Sequence, residues 1–561
     1  MERGLSGSRL RGTLRRLAAA RTSGRGSGKA GAGRTRTVRD FSVSGVWAFV
    51  LGAAVSLLVF ALYLKTLAPG VLNYARPEML DAAMLQVHAA SLGITHPTGY
   101  PTWTMLTHLF TYLPVENVAY RTNLASAVYS TVAVALVYAA GYLLTRRAMA
   151  AAAGALAFGL GQTLWSQATI AEVLTLNATF AALLIALLLL WRDRRDDRYL
   201  LTACFFMGLS LTNHLTSGLL LPAGALFVLL TDRGKLRDAR LALKGAGLFV
   251  LGLTPYAYLP IRASMDPQSM EADPSTPGAL LDHVSGERLN ERLLTLQPGH
   301  LWERLLFYGE QLLENLPLVV LVFAAVGLAA MVARDRAAAA FTAVIFAGWL
   351  THAASYNILD VELYFIPTYL VVSLWVSTGV GTALDGAESL LSRRPRRLRL
   401  VLPAALGAAA VLLPLSGVVT TYPEVDRSGY DEGRRLIETV AREVEPGATV
   451  IHHRSSLWYM VVVEERRRDL TLVDPYYPSW GPRHYDAVWP GNLPPEQTNR
   501  RYGTSRDDLG VTAAKKAAEK GTVYILDHGR VGGSAFREAG FEIVSVERGM
   551  LYELVPRSQA L

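Results

Sequence analysis

Glu78, Asp81, His88 and His96 fall within one stretch, RPEMLDAAMLQVHAASLGITHPTGYP, of an otherwise apolar chain. A carboxylate here can act as a general base toward a hydroxyl, hold a divalent cation, or cap a helix. Capping is a real alternative for Asp81, because AAMLQVHAASL after it reads as helix. His96 can position a phosphate or an acceptor, or serve structure alone.

The run LGITHPTGYPTW, Leu92 to Trp103, is a built bend. Pro97 and Pro101 each remove a backbone donor and disfavour helix in the residue before. Gly93 and Gly99 permit angles that other residues avoid. Tyr100 and Trp103 suit the headgroup level of a membrane.

Further polar residues lie at the ends of apolar runs. Glu172 and Asn177 begin one, Asn213 and His214 end another, and Asp360 sits beside Glu362 in YNILDVELY. They can line a cavity or make hydrogen bonds between helices. Arg262, after TPYAYLP, is placed to meet a phosphate in bidentate fashion or to snorkel at an interface.

The elements that must position these residues are membrane helices. Of 561 residues, 51% are hydrophobic and 18% charged, against roughly 25% charged in soluble proteins. Mean hydropathy is +0.26. We expect a mainly α, polytopic bundle of about eleven spans, each near the length that crosses a bilayer. They run over 44–66, 121–144, 147–165, 173–191, 199–215, 217–231, 242–260, 316–333, 339–355, 363–382 and 399–419. The loops at Arg146–Arg147, WRDRRDDR, TDRGKLRDAR, ARDR and SRRPRRLR are basic and are expected in the cytoplasm. The motif-bearing loops then face outward at the cell membrane.

The formal charge of +9 follows from these loops and a basic tail, so no nucleic-acid partner is implied. The single cysteine, Cys204, excludes a disulfide framework. Residues 1–40 read as a disordered basic cytoplasmic tail, 41–420 as the membrane domain, and 421–561 as an extracytoplasmic α/β domain.

The linked motifs carry a resemblance. Asp81 followed by His96-Pro-x-Gly-Tyr-Pro, then RTNLASA, LWSQATIAEVLTLNA, GLSLTNHLT, YAYLPIRA and DPSTPGALLDHVSG, resembles the domain-of-unknown-function family numbered 2723. That family includes the transmembrane protein O-mannosyltransferases of animals and is similar to the GT-C class of membrane glycosyltransferases. The resemblance implies a GT-C-like fold and a polyprenyl-phosphate sugar donor taken at the outer face among membrane lipids. It also implies a hydroxyl acceptor on a protein, glycan or lipid. It makes Asp81 the leading catalytic residue, or the ligand of any divalent cation. One departure stands out: the family's Gly-Glu after the aspartate is Ala83–Met84 here. Glu78, three residues upstream, is the nearest replacement. The rival readings are a non-catalytic scaffold derived from such an enzyme and a transporter of lipid-linked saccharides.

Overall fold

The computed structural model describes residues 43–73, 79, 81–286, 293, 298–474, 506–526 and 533–557. Contacts divide the chain into residues 1–46 and 47–561. Of the first part only the opening turn of the helix Val43–Thr66 is described, so the basic tail lies outside the described residues, as does Glu78.

Among the described residues, six helices are long and apolar enough to cross a membrane: Gly45–Thr66, Val118–Thr145, Val173–Arg194, Arg336–Ser355, Val361–Leu390 and Arg396–Val425. Two bent pairs raise the number to eight. Ala148–Gly159 with Gln162–Ala168 turns through 66°, and Gly299–Asn315 with Leu318–Arg334 through 109°. The expected spans 199–215, 217–231 and 242–260 appear as the shorter helices Asp197–Leu211, Leu220–Thr231 and Ala239–Gly252. At 1.5 Å per residue, a helix of 15 residues reaches about 22 Å, short of a hydrocarbon core of about 30 Å.

Val173–Arg194 and Val361–Leu390 form the centre of the bundle, each 89% buried over its apolar window, whereas Gly45–Thr66 and Arg396–Val425 are 22% buried. Helices Leu318–Arg334 and Ile366–Leu390 touch backbone to backbone at Gly327 and Gly379. A Cβ on Gly327 would collide with the Trp375 carbonyl oxygen, the close approach that small residues allow in membranes.

The basic loops meet one another at one end of the bundle. Arg147 pairs with Asp385 at 2.8 Å and with Glu388 at 2.5 Å; Arg192 pairs with Asp335 at 2.5 Å and Lys235 with Asp197 at 2.6 Å. Loops spaced far apart in sequence thus share one end, as alternation of basic and motif-bearing loops requires.

Beyond residue 430 lies a five-stranded sheet: β1 (Thr449–Ile451), β2 (Thr471–Val473), β3 (Val523–Leu526), β4 (Phe541–Glu547) and β5 (Leu551–Pro556). Its order is β2-β1-β3-β5-β4. β1 runs parallel to β2 and β3, while β5 is antiparallel to β3 and β4. The parallel strands are short apolar runs, as expected of strands covered on both faces. Its core includes Met84, Val87 and Ala119 from the helical part, and residues 47–561 form one compact unit. Ala119 N–H donates to the Tyr459 hydroxyl at 3.0 Å and Arg427 N–H to the Thr66 carbonyl at 2.9 Å, so the sheet region is tied to the bundle by both packing and backbone bonds.

Candidate active site

Asp81 stands immediately before the helix Ala82–Ser91. Its backbone carbonyl accepts from Leu85 N–H at 2.9 Å, but its side chain makes no capping bond. The carboxylate instead forms an ion pair with Arg454, and its other oxygen lies 3.5 Å from His96 Nε2. The capping alternative is therefore not how this side chain is used.

The helix stops at Leu92, whose φ of 53° is left-handed. Arg262 secures that stop, donating to the Leu92 carbonyl at 2.8 Å and the Ser91 carbonyl at 3.3 Å, while the Tyr258 hydroxyl donates to the Gly93 carbonyl at 2.9 Å. Arg262, expected at a phosphate, is here a clamp on the end of the helix that carries Asp81.

Past the clamp, the chain runs beside a second loop. Ile94 N–H donates to the Ser269 carbonyl at 3.0 Å and Glu271 N–H to the Ile94 carbonyl at 2.9 Å, a parallel bridge between Ile94 and Met270. Gly93 makes this possible, since a Cβ there would lie 2.5 Å from the Ser269 carbonyl oxygen. The bridge delivers Glu271 to the site. Glu271 accepts from His88 Nε2 at 2.8 Å, and the Ser269 hydroxyl lies 2.8 Å from His88 Nδ1. A carboxylate only accepts, so Nε2 carries the proton of this bond, and Nδ1 shares the other bond with the serine hydroxyl.

Glu271 also lies 3.2 Å from an Arg454 terminal nitrogen and 3.6 Å from His96 Nδ1. Arg454 and His96 thus each bridge Asp81 and Glu271, closing a ring of two acids and two bases. Side-chain exposure divides it: Asp81 is 23% and His96 19% exposed, against 1% for Glu271 and 3% for Arg454. Asp81 and His96 reach the surface, whereas Glu271 and Arg454 lie beneath it. Burial raises the Glu271 carboxyl, yet His88 and His96 outweigh it and hold the group below its ordinary value.

Arg454 comes from the sheet region. It follows β1 in a turn, HHRS, with its own φ at 43°. Its N–H donates to Asp474 at 3.0 Å, and His453 Nδ1 lies 3.1 Å from the same carboxylate. Burial works to raise Asp474, but His453 and the Arg454 N–H hold it low. β1 and β2 are parallel and both lead into this turn, so Arg454 stands at their carboxyl edge, the side from which open α/β sheets receive ligands.

The bend supplies the remaining wall. Gly99 has a φ of +88°, and Tyr100, at 41°, precedes the helix Pro101–Phe110. The Tyr100 hydroxyl lies 3.1 Å from His96 Nε2. Its ring stacks on His214 at 5.7 Å and 8°, and Tyr364 meets His214 edge-on. Of the residues the sequence singled out, Asp81, His96, Tyr100 and His214 therefore form one connected group. Asp360 is near enough for its charge to act on Tyr364 and Glu172.

Other candidates serve the helices. Glu172 caps Val173–Arg194, accepting from Val173 N–H at 2.7 Å and Leu174 N–H at 3.2 Å. Asn177 accepts from Ser217 at 2.8 Å, and Asn213 donates to the Val173 carbonyl at 3.5 Å. These are the interhelical bonds that were the alternative reading. Sequence reasoning missed Glu271 and Arg454. Glu271 had one weak signal, as an acid between the quoted motifs YAYLPIRA and DPSTPGALLDHVSG. A small cavity of about 10 Å³ is lined by Glu271, His88 and Met84, so the second carboxylate stands beside Met84, where the Glu of the resembled motif is absent. Among the described residues, no three His, Cys, Asp or Glu are grouped to hold a metal ion.

The fold is that of a class with known members. The structure of ArnT from Cupriavidus metallidurans bound to undecaprenyl phosphate superposes with a TM-score of 0.57 at 14% identity, over 91% of this chain and 98% of that one. The apo state of the same protein gives 0.57 at 15%. The fold is thus ArnT-like, the GT-C arrangement. In sequence, the family model described as Protein O-mannosyl-transferase TMEM260 N-terminal domain matches residues 81–237. Protein O-mannosyl-transferase TMEM260 of Mus musculus is 34% identical over 193 residues, 32% of this chain and 27% of that protein. The Dictyostelium discoideum protein of that name is 25% identical over 197 residues, 32% of this chain and 24% of that one. The chain spans about a quarter of the length of these curated relatives.

Proposed function

We propose that this chain is a multi-pass membrane glycosyltransferase that moves a sugar from a polyprenyl-phosphate donor to a hydroxyl acceptor at the extracytoplasmic face. The observation that carries the reading is Asp81: a carboxylate at the edge of the site, free of any capping duty, against His96 and backed by the buried Glu271. The match to the family model includes this residue. The ArnT structure contains undecaprenyl phosphate, which favours a polyprenyl phosphate as the carrier here. The named relatives make mannose the first sugar and a protein the first acceptor to try, and membership in the family numbered 2723 is part of the same proposal.

In this reading, Asp81 takes the proton of the acceptor hydroxyl as its oxygen attacks the anomeric carbon. The new C–O bond forms as the bond from that carbon to the phosphate oxygen breaks, and polyprenyl phosphate leaves with the electron pair. Side chains carry the chemistry. Asp81 would be the ligand of any divalent cation, and the step is routed through side chains alone. His96 and Tyr100 hold the donor side of the pocket.

The test is transfer from a panel of polyprenyl-phosphate sugars by purified protein in lipid nanodiscs. Asp81→Asn keeps shape and removes the proton acceptor; loss of a general base costs about 10²–10⁴-fold in rate. Full transfer by a stable Asp81→Asn protein would overturn the assignment.

A further inference from the structure

Arg454 is an unusual component for a site built around a base. A guanidinium bonded to Asp81 holds that carboxylate in its ionised form and lowers its affinity for a proton. With Arg454 in place, Asp81 is a poor acceptor of a hydroxyl proton. The pair must part before the proposed chemistry can run.

We propose that Arg454 is the receiver of the donor's phosphate, and that the phosphate draws the guanidinium away from Asp81, so that donor binding itself releases the base. This rests on the glycosyltransferase reading above. Three observations support it. First, the two terminal nitrogens of Arg454 face two separate carboxylates, Asp81 and Glu271, so the nitrogen that faces Asp81 can pass to a phosphate oxygen while the other stays on Glu271. Second, the arginine is held out for this use. Its backbone is in the left-handed region and is tied to Asp474, which His453 also holds, so the side chain projects from a fixed turn at the carboxyl edge of β1. Third, the other arginine expected to meet a phosphate, Arg262, is committed to the carbonyls of Ser91 and Leu92.

The exchange swaps one partner of Arg454 for another. Before donor binds, Asp81 and Glu271 share Arg454. When a phosphate takes the Asp81-facing nitrogen, Glu271 keeps the other side of the fork and stays paired with His88. Among the described residues Asp81 is then left with His96, at 3.5 Å, and regains basicity as the acceptor arrives. The sheet region thereby becomes part of the active site, and the sugar donor, not the acceptor, is what arms the base.

The experiment measures binding of a polyprenyl monophosphate to the full chain in nanodiscs of neutral lipid. Inorganic phosphate and nanodiscs containing an anionic phospholipid serve as parallel probes. Asp81→Asn is expected to bind the polyprenyl phosphate about tenfold more tightly, because a competitor for the guanidinium is gone. Arg454→Gln should weaken it about ten- to a hundredfold, and Arg454→Lys, which keeps charge but loses the fork, should fall between. The double variant decides the mechanism: the gain from Asp81→Asn should vanish in the Arg454→Gln background. A gain that persists there is plain removal of a negative charge and overturns the proposal. So does an Asp81→Asn affinity equal to wild type, a result that needs no Arg454 variant to fold. Equal response to inorganic phosphate or to the anionic phospholipid would also overturn it, showing a general anion site. Wild-type protein that binds no polyprenyl phosphate would overturn the glycosyltransferase reading as well, whereas transfer activity with unaltered affinity in Arg454→Gln would sink only this inference.

Discussion

His88 and Glu271 are joined through a 2.8 Å hydrogen bond between side chains that are 0% and 1% exposed. This bond ties the helix that begins after Asp81 to the loop that brings the second carboxylate. The pair is a positioning device: it fixes Glu271 so that Glu271 can hold Arg454 and His96. His88→Ala should lower stability by about 1.5–3 kcal/mol, the worth of a hydrogen bond to a charged group. The loss stays at that level because Glu271 keeps Arg454. Denaturation of both proteins in the same detergent measures it, and an unchanged midpoint would remove His88 from this role.

Two glycines set the geometry and can be tested against a third. A Cβ on Gly99 would lie 2.9 Å from Leu259 and 3.0 Å from His283, at a φ of +88°. Gly99→Ala should cost about 1–3 kcal/mol in strain and displace His96, lowering transfer. Gly93→Ala should separate the two loops, since its Cβ meets a backbone carbonyl that cannot simply rotate away. Gly278, in the helix Pro277–Ser285, has open space within 4 Å of the position a Cβ would take, and Gly278→Ala should leave transfer and stability at wild-type levels.

Acid should loosen the site. His283 is buried, and neither ring nitrogen has a hydrogen-bond partner among the described residues. Burial, with His96 nearby, lowers it from 6.5 to about 4. A lowered histidine is neutral in the fold and charges more readily in the unfolded chain. The fold is therefore fully favoured above pH 6.5 and loses stability as pH falls toward 4. The loss amounts to roughly 3 kcal/mol. Glu271, also lowered, adds a loss of the same sign as pH falls through its own value. His283→Gln should flatten the slope between pH 6.5 and 4 while leaving the Glu271 contribution at lower pH. Equal slopes in the two proteins would show that His283 does not titrate as its burial implies.

Membrane orientation is the remaining expectation. The N-terminus should be cytoplasmic and the sheet region extracytoplasmic, because the basic loops gather at one end and the ring of Asp81, His96, Glu271 and Arg454 joins loops assigned to the other. Reporter fusions after Val425 should be active only when exported. Activity confined to the cytoplasm would reverse the orientation.

The sequence by itself determined the helices and part of the site. Long uncharged apolar runs have few alternatives to a buried or membrane helix, and Gly93, Pro97, Gly99 and Pro101 mark where local backbone must turn. His96 and Tyr100 were legible because they lie in one bend whose chemistry is local, and Asp81 because it opens the motif that carries the resemblance. The role of Asp81 was not, since capping, metal binding and catalysis make the same demand on sequence; the structure shows no side-chain capping bond and sets the first aside. Glu271 left one weak signal in the sequence and Arg454 none. Each sits in an irregular loop with no periodic pattern, and each matters through partners that a parallel bridge and a docked sheet bring close. Arg262 shows the converse: its position suggested a phosphate, but the tertiary structure offers it two unpaired carbonyls at a helix end, and satisfying buried backbone acceptors decides where its guanidinium goes.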